Sequence, residues 1–564
     1  MRRYWVVALA VLALLGVLSP PAFAQAPTPQ VTISGLLQQS MSIGKNYFDS
    51  NFTRTADSQW VAITRARPDI TAQVGNVKMV LGFEFDVSFG QVGTQDTNVA
   101  LATANTGGVQ VGGQNGGFDL NTDVAALIEL KWAYTEFPLT GAGSLLPFVP
   151  IPTVARVGAQ PFAVTYKGST LATGDFAGLN MVTTWTPAIK SHIAYAQLEE
   201  QGATVQTGNS VAATGRCANN ALQPQGAATV AAGAACRGDD FALFVGVEVT
   251  PMKGLDVRPI YSYFDGYGTI NAGSRVAIGA LPATTSLADE EKRHTIGFDA
   301  RWTWGNLFID PTYFYQFGSR EIRCATPSPA AGAFPTSGCQ VGARHNGVTA
   351  NISAQFFDIR GGYRWGPLLL EAMVGYSSGN KARDNLRKEI RYYAPVDTDT
   401  GYYATWANIL ALGVDSTGVG AVNGLGAGIS YFQYGRVQTG YRATYSWTPA
   451  LDTYISVSPT WTARSVDTDT PATSRAQGCI GNGLSGIPCD FKGDSSYIGT
   501  EVDLGLVWRF APNVRFDLVG YWLGVGDALN GAEVIASQGV PAITGRRVDA
   551  KDAYGIGSKL TFNY

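Results

Sequence analysis

Hydrophobic and polar residues alternate along most of this chain with a period of two. In the clearest run, Val77, Met79, Leu81, Phe83, Phe85, Val87 and Phe89 alternate without a break against Lys78, Val80, Gly82, Glu84, Asp86 and Ser88. Successive side chains of a strand point to opposite faces, so the run predicts a strand with one apolar and one wet face. The run before it, Trp60 to Val74, joins it through Gly75-Asn76, a pair suited to a two-residue hairpin turn. If Val74 pairs with Val77, Arg67 faces Glu84 and Arg65 faces Asp86 on the wet side. Ile70 then faces Leu81, and Ala72 faces Met79, on the apolar side.

Eighteen such runs succeed one another, from Val31–Ile43 to Lys551–Tyr564. The fourth, Asp123 to Phe137, carries Val124, Ala126, Ile128, Leu130, Trp132 and Tyr134 on its apolar face; the fourteenth spans Ile429 to Trp447. The connections are of two alternating kinds. Short ones are Gly75-Asn76, Thr186-Pro187-Ala188, Thr250-Pro251, Gly305-Asn306, Gly366-Pro367, Thr448-Pro449-Ala450 and Ala511-Pro512-Asn513. The others are long, and only the proline-rich link Leu146 to Pro152 breaks the short rule. Trp185, Trp304, Trp365, Trp447 and Trp508 all lie beside short turns on the apolar face, where a ring half in lipid and half in water is favoured. No helical layer is available to cover the apolar faces, and lipid leaves an open sheet edge unpaired. The pattern predicts an all-β fold: a single transmembrane antiparallel up-and-down β-barrel of about 18 strands, with short periplasmic turns and long extracellular loops.

The N-terminus sharpens this picture. Arg2 and Arg3, the apolar run Tyr4 to Leu18 and the small-residue site Ala22-Phe23-Ala24 read as an export signal over residues 1–24, with the barrel over 25–564. The run is shorter than the roughly 20 apolar residues a helical anchor needs. Only 15% of residues are charged, against about 25% in soluble chains. The formal charge of −3, lowered by two on cleavage, gives no reason to expect nucleic acid. Six cysteines fall into neighbouring pairs, Cys217 with Cys236, Cys324 with Cys339 and Cys479 with Cys489, which an oxidising compartment would make into three loop disulfides. Their spacing contains no C-x-x-C, so no metal is expected there.

With these features, and with the terminal aromatic strand Lys559-Leu-Thr-Phe-Asn-Tyr564, the chain resembles the porin-like barrels of the Gram-negative outer membrane. The resemblance covers the whole mature chain but is architectural. It implies outer-membrane localisation, and no motif carries over a family's functional residues. The eighteen-stranded alginate-export barrels, with their basic lumen, are the rival class.

Eighteen strands should enclose water, so function is expected on the wet face. The candidate channel-lining residues are Arg65, Arg67, Glu84, Asp86, Glu129, Arg156, Arg258, Asp299, Arg301, Asp310, Arg360, Arg364, Glu371, Arg442, Glu501, Asp503, Arg509, Arg515 and Asp517. The Gly305-Asn306 turn sets Arg301 opposite Asp310, and Gly366-Pro367 sets Arg364 diagonal to Glu371. Such pairs either brace the wall or impose a field that selects solutes; the arginines lean the reading towards anionic or zwitterionic solutes. A second candidate is the loop 377–428. Leu386 with Ile390, and Tyr403 with Trp406 and Leu410, have helical spacing and predict two short helices, the second ended by Gly413. The loop is expected to fold inward and constrict the pore; capping of the rim or packing on a neighbouring protomer is the alternative. Asp397, Asp399, Asp467 and Asp469, in two Val-Asp-Thr-Asp-Thr stretches, read as solvated turns more readily than as calcium ligands. His192, His294 and His345 are dispersed, and no catalytic or phosphate-binding motif occurs, so neither an enzyme nor a cofactor is expected. Expected partners are membrane lipid and small polar solutes, with a homotrimer standing open against a monomer.

Overall fold

The computed structural model describes residues 28–46, 58–88, 127–168, 170–199, 240–268, 289–322, 348–381, 384, 389–398, 406–412, 434–466, 468, 493–537 and 540–564. The export signal, the three cysteine pairs, His345, Gly413, Asp399, Asp467 and Asp469 lie outside them.

The alternation folds into strands β1 (Gln30–Lys45), β2 (Ser58–Val74), β3 (Val77–Ser88), β4 (Leu127–Thr140), β5 (Thr153–Ala163), β6 (Ala172–Thr186), β7 (Ile189–Glu199), β8 (Asp240–Met252) and β9 (Leu255–Gly268). The wall continues through β10 (Asp289–Trp304), β11 (Leu307–Ile322), β12 (Val348–Trp365) and β13 (Leu368–Ser377). Two short strands lie inside the next link, β14 (Glu389–Ile390) and β15 (Asp397–Thr398), before β16 (Arg436–Thr448), β17 (Leu451–Val466), β18 (Ser495–Ala511) and β19 (Val514–Val525). A separate hairpin, β20 (Gly531–Ser537) with β21 (Val540–Val548), precedes the last wall strand, β22 (Ala553–Asn563). Sequential wall strands pair antiparallel and β22 pairs with β1, closing an 18-strand barrel. Gly35 and Tyr564 exchange backbone hydrogen bonds of 2.9 and 3.0 Å across that seam.

The predicted register of the first hairpin is observed: Val74 faces Val77, Ile70 faces Leu81, Ala72 faces Met79 and Arg65 faces Asp86. Gly75, Gly305 and Gly366 have φ of 58°, 60° and 57°, and the residues after them have ordinary negative φ. Positive φ at the first central position alone is the type II′ turn, which glycine adopts without a Cβ clash. The third short turn is displaced from its expected place. β8 runs through Thr250-Pro251 to Met252, which pairs with Leu255 across Lys253-Gly254.

β12 shows how the wall separates its faces. Ala350, Ile352, Ala354, Phe356 and Asp358 are buried on the inner side, and Trp365, Tyr363 and Phe357 are exposed on the outer side. From Phe357 to Trp365 the outer face is an apolar band. Eight rises of about 3.3 Å, tilted about 40°, make it about 20 Å tall, close to the apolar band of a membrane barrel. Above it Thr349, Asn351, Ser353 and Gln355 continue the outer face with polar side chains. The five turn-side tryptophans are all exposed outward, Trp365 at 74% and Trp304 at 71%.

β4 departs from the expected phase. Phe83 pairs with Leu130 but Gly82 pairs with Trp132, so Lys131 is the extra residue of a β-bulge. Leu130 stays outside at 56% exposure. Below the bulge the phase reverses. Tyr134 and Glu136 lie opposite Val80 and Lys78, so Trp132 and Tyr134 sit on the inner side, not on the outer face expected of them.

Candidate functional site

The inner wall carries charge in clusters, most of them spanning two or three strands. Glu84 of β3 is the acceptor for Arg67 Nε at 2.9 Å, Arg65 Nε at 3.0 Å and Lys131 Nζ at 3.1 Å. Asp86 and Glu129 stand in register beside it, opposite Arg65 and Glu84, and their side chains lie outside the described residues. Arg156 Nε donates to Glu136 at 2.6 Å, with Lys78 on the same carboxylate at 3.1 Å. Near the short-turn rim Arg509 pairs with Asp452 at 2.8 Å and Arg515 with Asp517 at 2.5 Å. Arg364 is exposed at that rim, opposite Leu369.

Two expected pairings are replaced by others. Arg301 pairs with Asp256 of β9 at 2.8 Å, on the opposite side from Asp310. Glu371 accepts from Arg360 at 2.7 Å, and stands opposite Arg442 rather than serving Arg364. Turn geometry fixes which residues are level, but a long guanidinium side chain reaches either neighbour.

Two segments fold inward onto this wall. The first is the link 164–171 between β5 and β6. The backbone N–H of Tyr166 donates to Asp299 at 2.5 Å, and Lys167 Nζ reaches the Asp310 carbonyl at 2.6 Å and the Asp358 carboxylate. Asp299 is wholly buried and also accepts from the Thr312 hydroxyl at 2.5 Å. The ring of Tyr166 lies between two guanidiniums, Arg258 at 4.2 Å and Arg301 at 4.4 Å, and its hydroxyl donates to Glu248 at 3.0 Å. Arg258 also donates to Glu248, at 2.5 Å.

The second comes from the long link after β13. Glu389–Ile390 is extended and pairs in parallel with Asn351–Ile352 of β12, so Ile390 lies in β14 rather than in the first expected helix, whose Leu386 is outside the described residues. Asn380 fixes this stretch by accepting from Arg391 N–H at 2.8 Å and donating to the Glu389 carbonyl at 3.0 Å. Gln316 of β11 holds Ala394 through both its carbonyl and its N–H. Asp397–Thr398 then pairs with Ala172–Thr173 of β6. The two segments touch: Tyr393 Oη donates to the Thr170 carbonyl at 2.7 Å, and Val396 N–H to Leu171 at 2.8 Å. Burial pushes the phenols of Tyr166 and Tyr393 up, so both remain neutral donors.

Of the second expected helix, the described part is a single wide turn, Asn408–Leu412, and Tyr403 lies outside the described residues. The N–H groups of Asn408, Ile409 and Leu410 donate to the Glu501 carboxylate at 2.6, 2.7 and 2.8 Å. Asn408 Nδ2 donates to Asp503 at 2.8 Å, and Arg436 donates to the Leu410 carbonyl at 2.8 Å. The adjacent Trp406 is covered by Arg360 at 4.7 Å, and Arg442 lies over Tyr454 at 4.1 Å.

Sequence reasoning did not single out Tyr166, Lys167, Glu136, Glu248, Asp256 or Asp358. Glu248 and Asp358 fall on the wet phase of their strands and were accessible to it; Tyr166 and Lys167 sit in a link that gave no signal. Among the described residues no cluster of His, Cys, Asp and Glu is arranged to hold a metal ion.

A closed ring with oily residues outside and paired charges inside decides the architecture. The chain is a closed up-and-down antiparallel β-barrel of 18 strands. No family model matches it, and no curated protein does. Among solved structures it is similar to Acinetobacter baumannii OccAB1, at 11% identity and TM-score 0.43, over 95% of this chain and 96% of that one. Pseudomonas aeruginosa OccD3 (OpdP) matches at 10% identity and TM-score 0.41, over 97% of both chains. A BenF-like porin from Pseudomonas fluorescens Pf-5 matches at 8% and 0.43, over 95% of this chain and 98% of that one. These likenesses are loose ones of overall shape, whereas the ion pairs and inward segments belong to this barrel's own residues.

Proposed function

We propose that the barrel is a passive diffusion channel for small polar or charged solutes, narrowed by the two inward segments. The observation that carries this reading is the inner wall itself, with arginines and carboxylates on one face of nearly every strand. Buried paired charge has no use against lipid, but along water it sets a field that orients ions. The segments 164–171, 389–398 and 406–412 pack Tyr166, Lys167, Tyr393 and Trp406 against the inner wall and so narrow the space left for a solute. Arg258, Arg301, Arg360 and Arg442 each keep a flat guanidinium against an aromatic ring, and Arg301, half exposed and paired through its Nε alone, keeps its outer donors for carboxylate or phosphate. Anionic and zwitterionic solutes are therefore favoured. Single-channel recording of the purified barrel in a planar bilayer, with a panel of salts and sugars, tests the function. Discrete conductance steps with a reversal potential displaced towards the anion are expected, and a protein that inserts but passes no current overturns the reading.

A further inference from the structure

The hairpin β5–β6 does not follow the wall to its upper end. Its own ladder runs without interruption from Thr153↔Thr183 to Ala163↔Thr173. The ladder to β4 stops at Ala133↔Ala159, although β4 continues upward to Leu127. On the other flank the ladder to β7 stops at Ala177↔Gln197, although β7 continues to Glu199. Above these points, among the described residues, neither neighbour pairs with the hairpin. It pairs instead with β15, and its tip reaches Asp299 and Asp358 on β10 and β12. The hairpin therefore swings off the wall into the lumen.

The sequence provides the bend. Gly158, at φ +120°, faces Gly178; a Cβ would lie 2.2 Å from the Ala133 carbonyl oxygen at the first and 1.9 Å from that of Tyr195 at the second. Gln160, buried just above them, turns its amide onto the carbonyls of Gly158 and Gly178 at 3.3 and 3.2 Å. Side chains span the resulting interval. Trp132 Nε1 donates to Asp175 on the back of the hairpin at 2.6 Å, and Lys131 Nζ pairs with the same carboxylate at 3.2 Å. The interval opens half-way up the oily band, because Ala133 is level with Leu81 and the exposed Leu130 stands just above it. On the lumen side of the hairpin lies a cavity between Phe162, Val164, Phe244 and Ile260, with Arg258 and His192 at its polar wall.

We propose that the barrel wall is parted between β4 and β7 above Ala133, and that this parting is a side passage for amphiphiles bearing an apolar tail and an anionic head. The tail would move between the outer half of the bilayer and the aromatic cavity, and the head would stay with Lys131 and Arg258. Irregular edges survive at membrane depth only where they border water or protein, which agrees with a route joined to the lumen. The passage presupposes the channel reading, and the experiment below fails differently for each.

The full mature barrel is reconstituted in vesicles with p-benzoylphenylalanine in place of Ala163, on the back of the hairpin, and irradiated. Leu504, exposed to lipid on β18, and Ser458, buried inside, are the reference sites. Lipid adducts at positions 163 and 504 but not 458 are expected; adducts at 504 alone overturn the parting. A second measurement tracks the influx of decanesulfonate and methanesulfonate, neither of which crosses lipid unaided. Asp175→Ala, which removes the bridge, should at least double decanesulfonate flux while methanesulfonate flux and KCl conductance change by less than a fifth. Equal change in both fluxes, or in neither, overturns the passage. Absence of KCl conductance in the unaltered barrel would instead sink the channel reading and leave the adduct result to decide the parting.

Discussion

The two inward segments are attached to the wall by the same chemistry in different proportions. Residues 164–171 bridge two adjacent strands in eight positions, and are held by a lysine in a nest of three aspartates and a tyrosine wedged between two arginines. Residues 406–412 belong to a link of more than fifty residues, and are held mainly by three consecutive N–H groups on one carboxylate. A short, charged and redundant attachment makes a fixed part of the wall. A long attachment that leans mainly on one carboxylate makes a part that one substitution can loosen.

The most severe way to test that contrast is to delete residues 383–414, which should raise single-channel conductance several-fold; an unchanged conductance would show that the segment does not narrow the path. Glu501→Ala should come next. It leaves three buried N–H groups without their acceptor, at about 1 to 3 kcal/mol each, and current traces should show frequent excursions above the resting level but short of the deletion mutant's, because residues 389–398 stay tied to β12 and β6. Lys167→Met should behave differently. Conductance should move little, but Asp299 and Asp358 lose a buried cation, which typically costs about 3 to 5 kcal/mol. The temperature at which the folded band shifts on a semi-native gel should fall clearly. Tyr166→Ala keeps the charges and frees the faces of Arg258 and Arg301, so reversal potential should shift modestly towards the anion, with a smaller loss of stability than Lys167→Met. The smallest effect is expected of Arg65→Ala with Arg67→Ala, a few millivolts of reversal potential; none at all would leave those residues as wall braces.

The barrel was legible because its signals are local. Period-two runs, Gly-Asn turns and turn-side tryptophans each need only a few residues, and the register of β2 on β3 came from one turn. The fourth strand was misphased because Glu-Leu-Lys-Trp-Ala-Tyr reads as unbroken alternation, and the bulge at Lys131 shows only in the pairing with β3. The inward course of 164–171 was hidden for a related reason. Phe162, Val164 and Phe176 continue the strand pattern, and Lys167 finds Asp358 only 191 positions further along the chain. At Ile390 the helical spacing was outweighed by a free strand edge, since β12 extends above β13 and offers its backbone to Glu389–Ile390.

The same extended stretch is bound at one end to β12 and at the other to β6, strands that lie far apart around the ring. A hoop with a tie rod across it resists being squeezed into an oval. Lateral pressure from a crowded or thickened membrane would therefore be borne along residues 389–398, and the bore of this barrel would stay round where an unbraced one of equal girth would flatten.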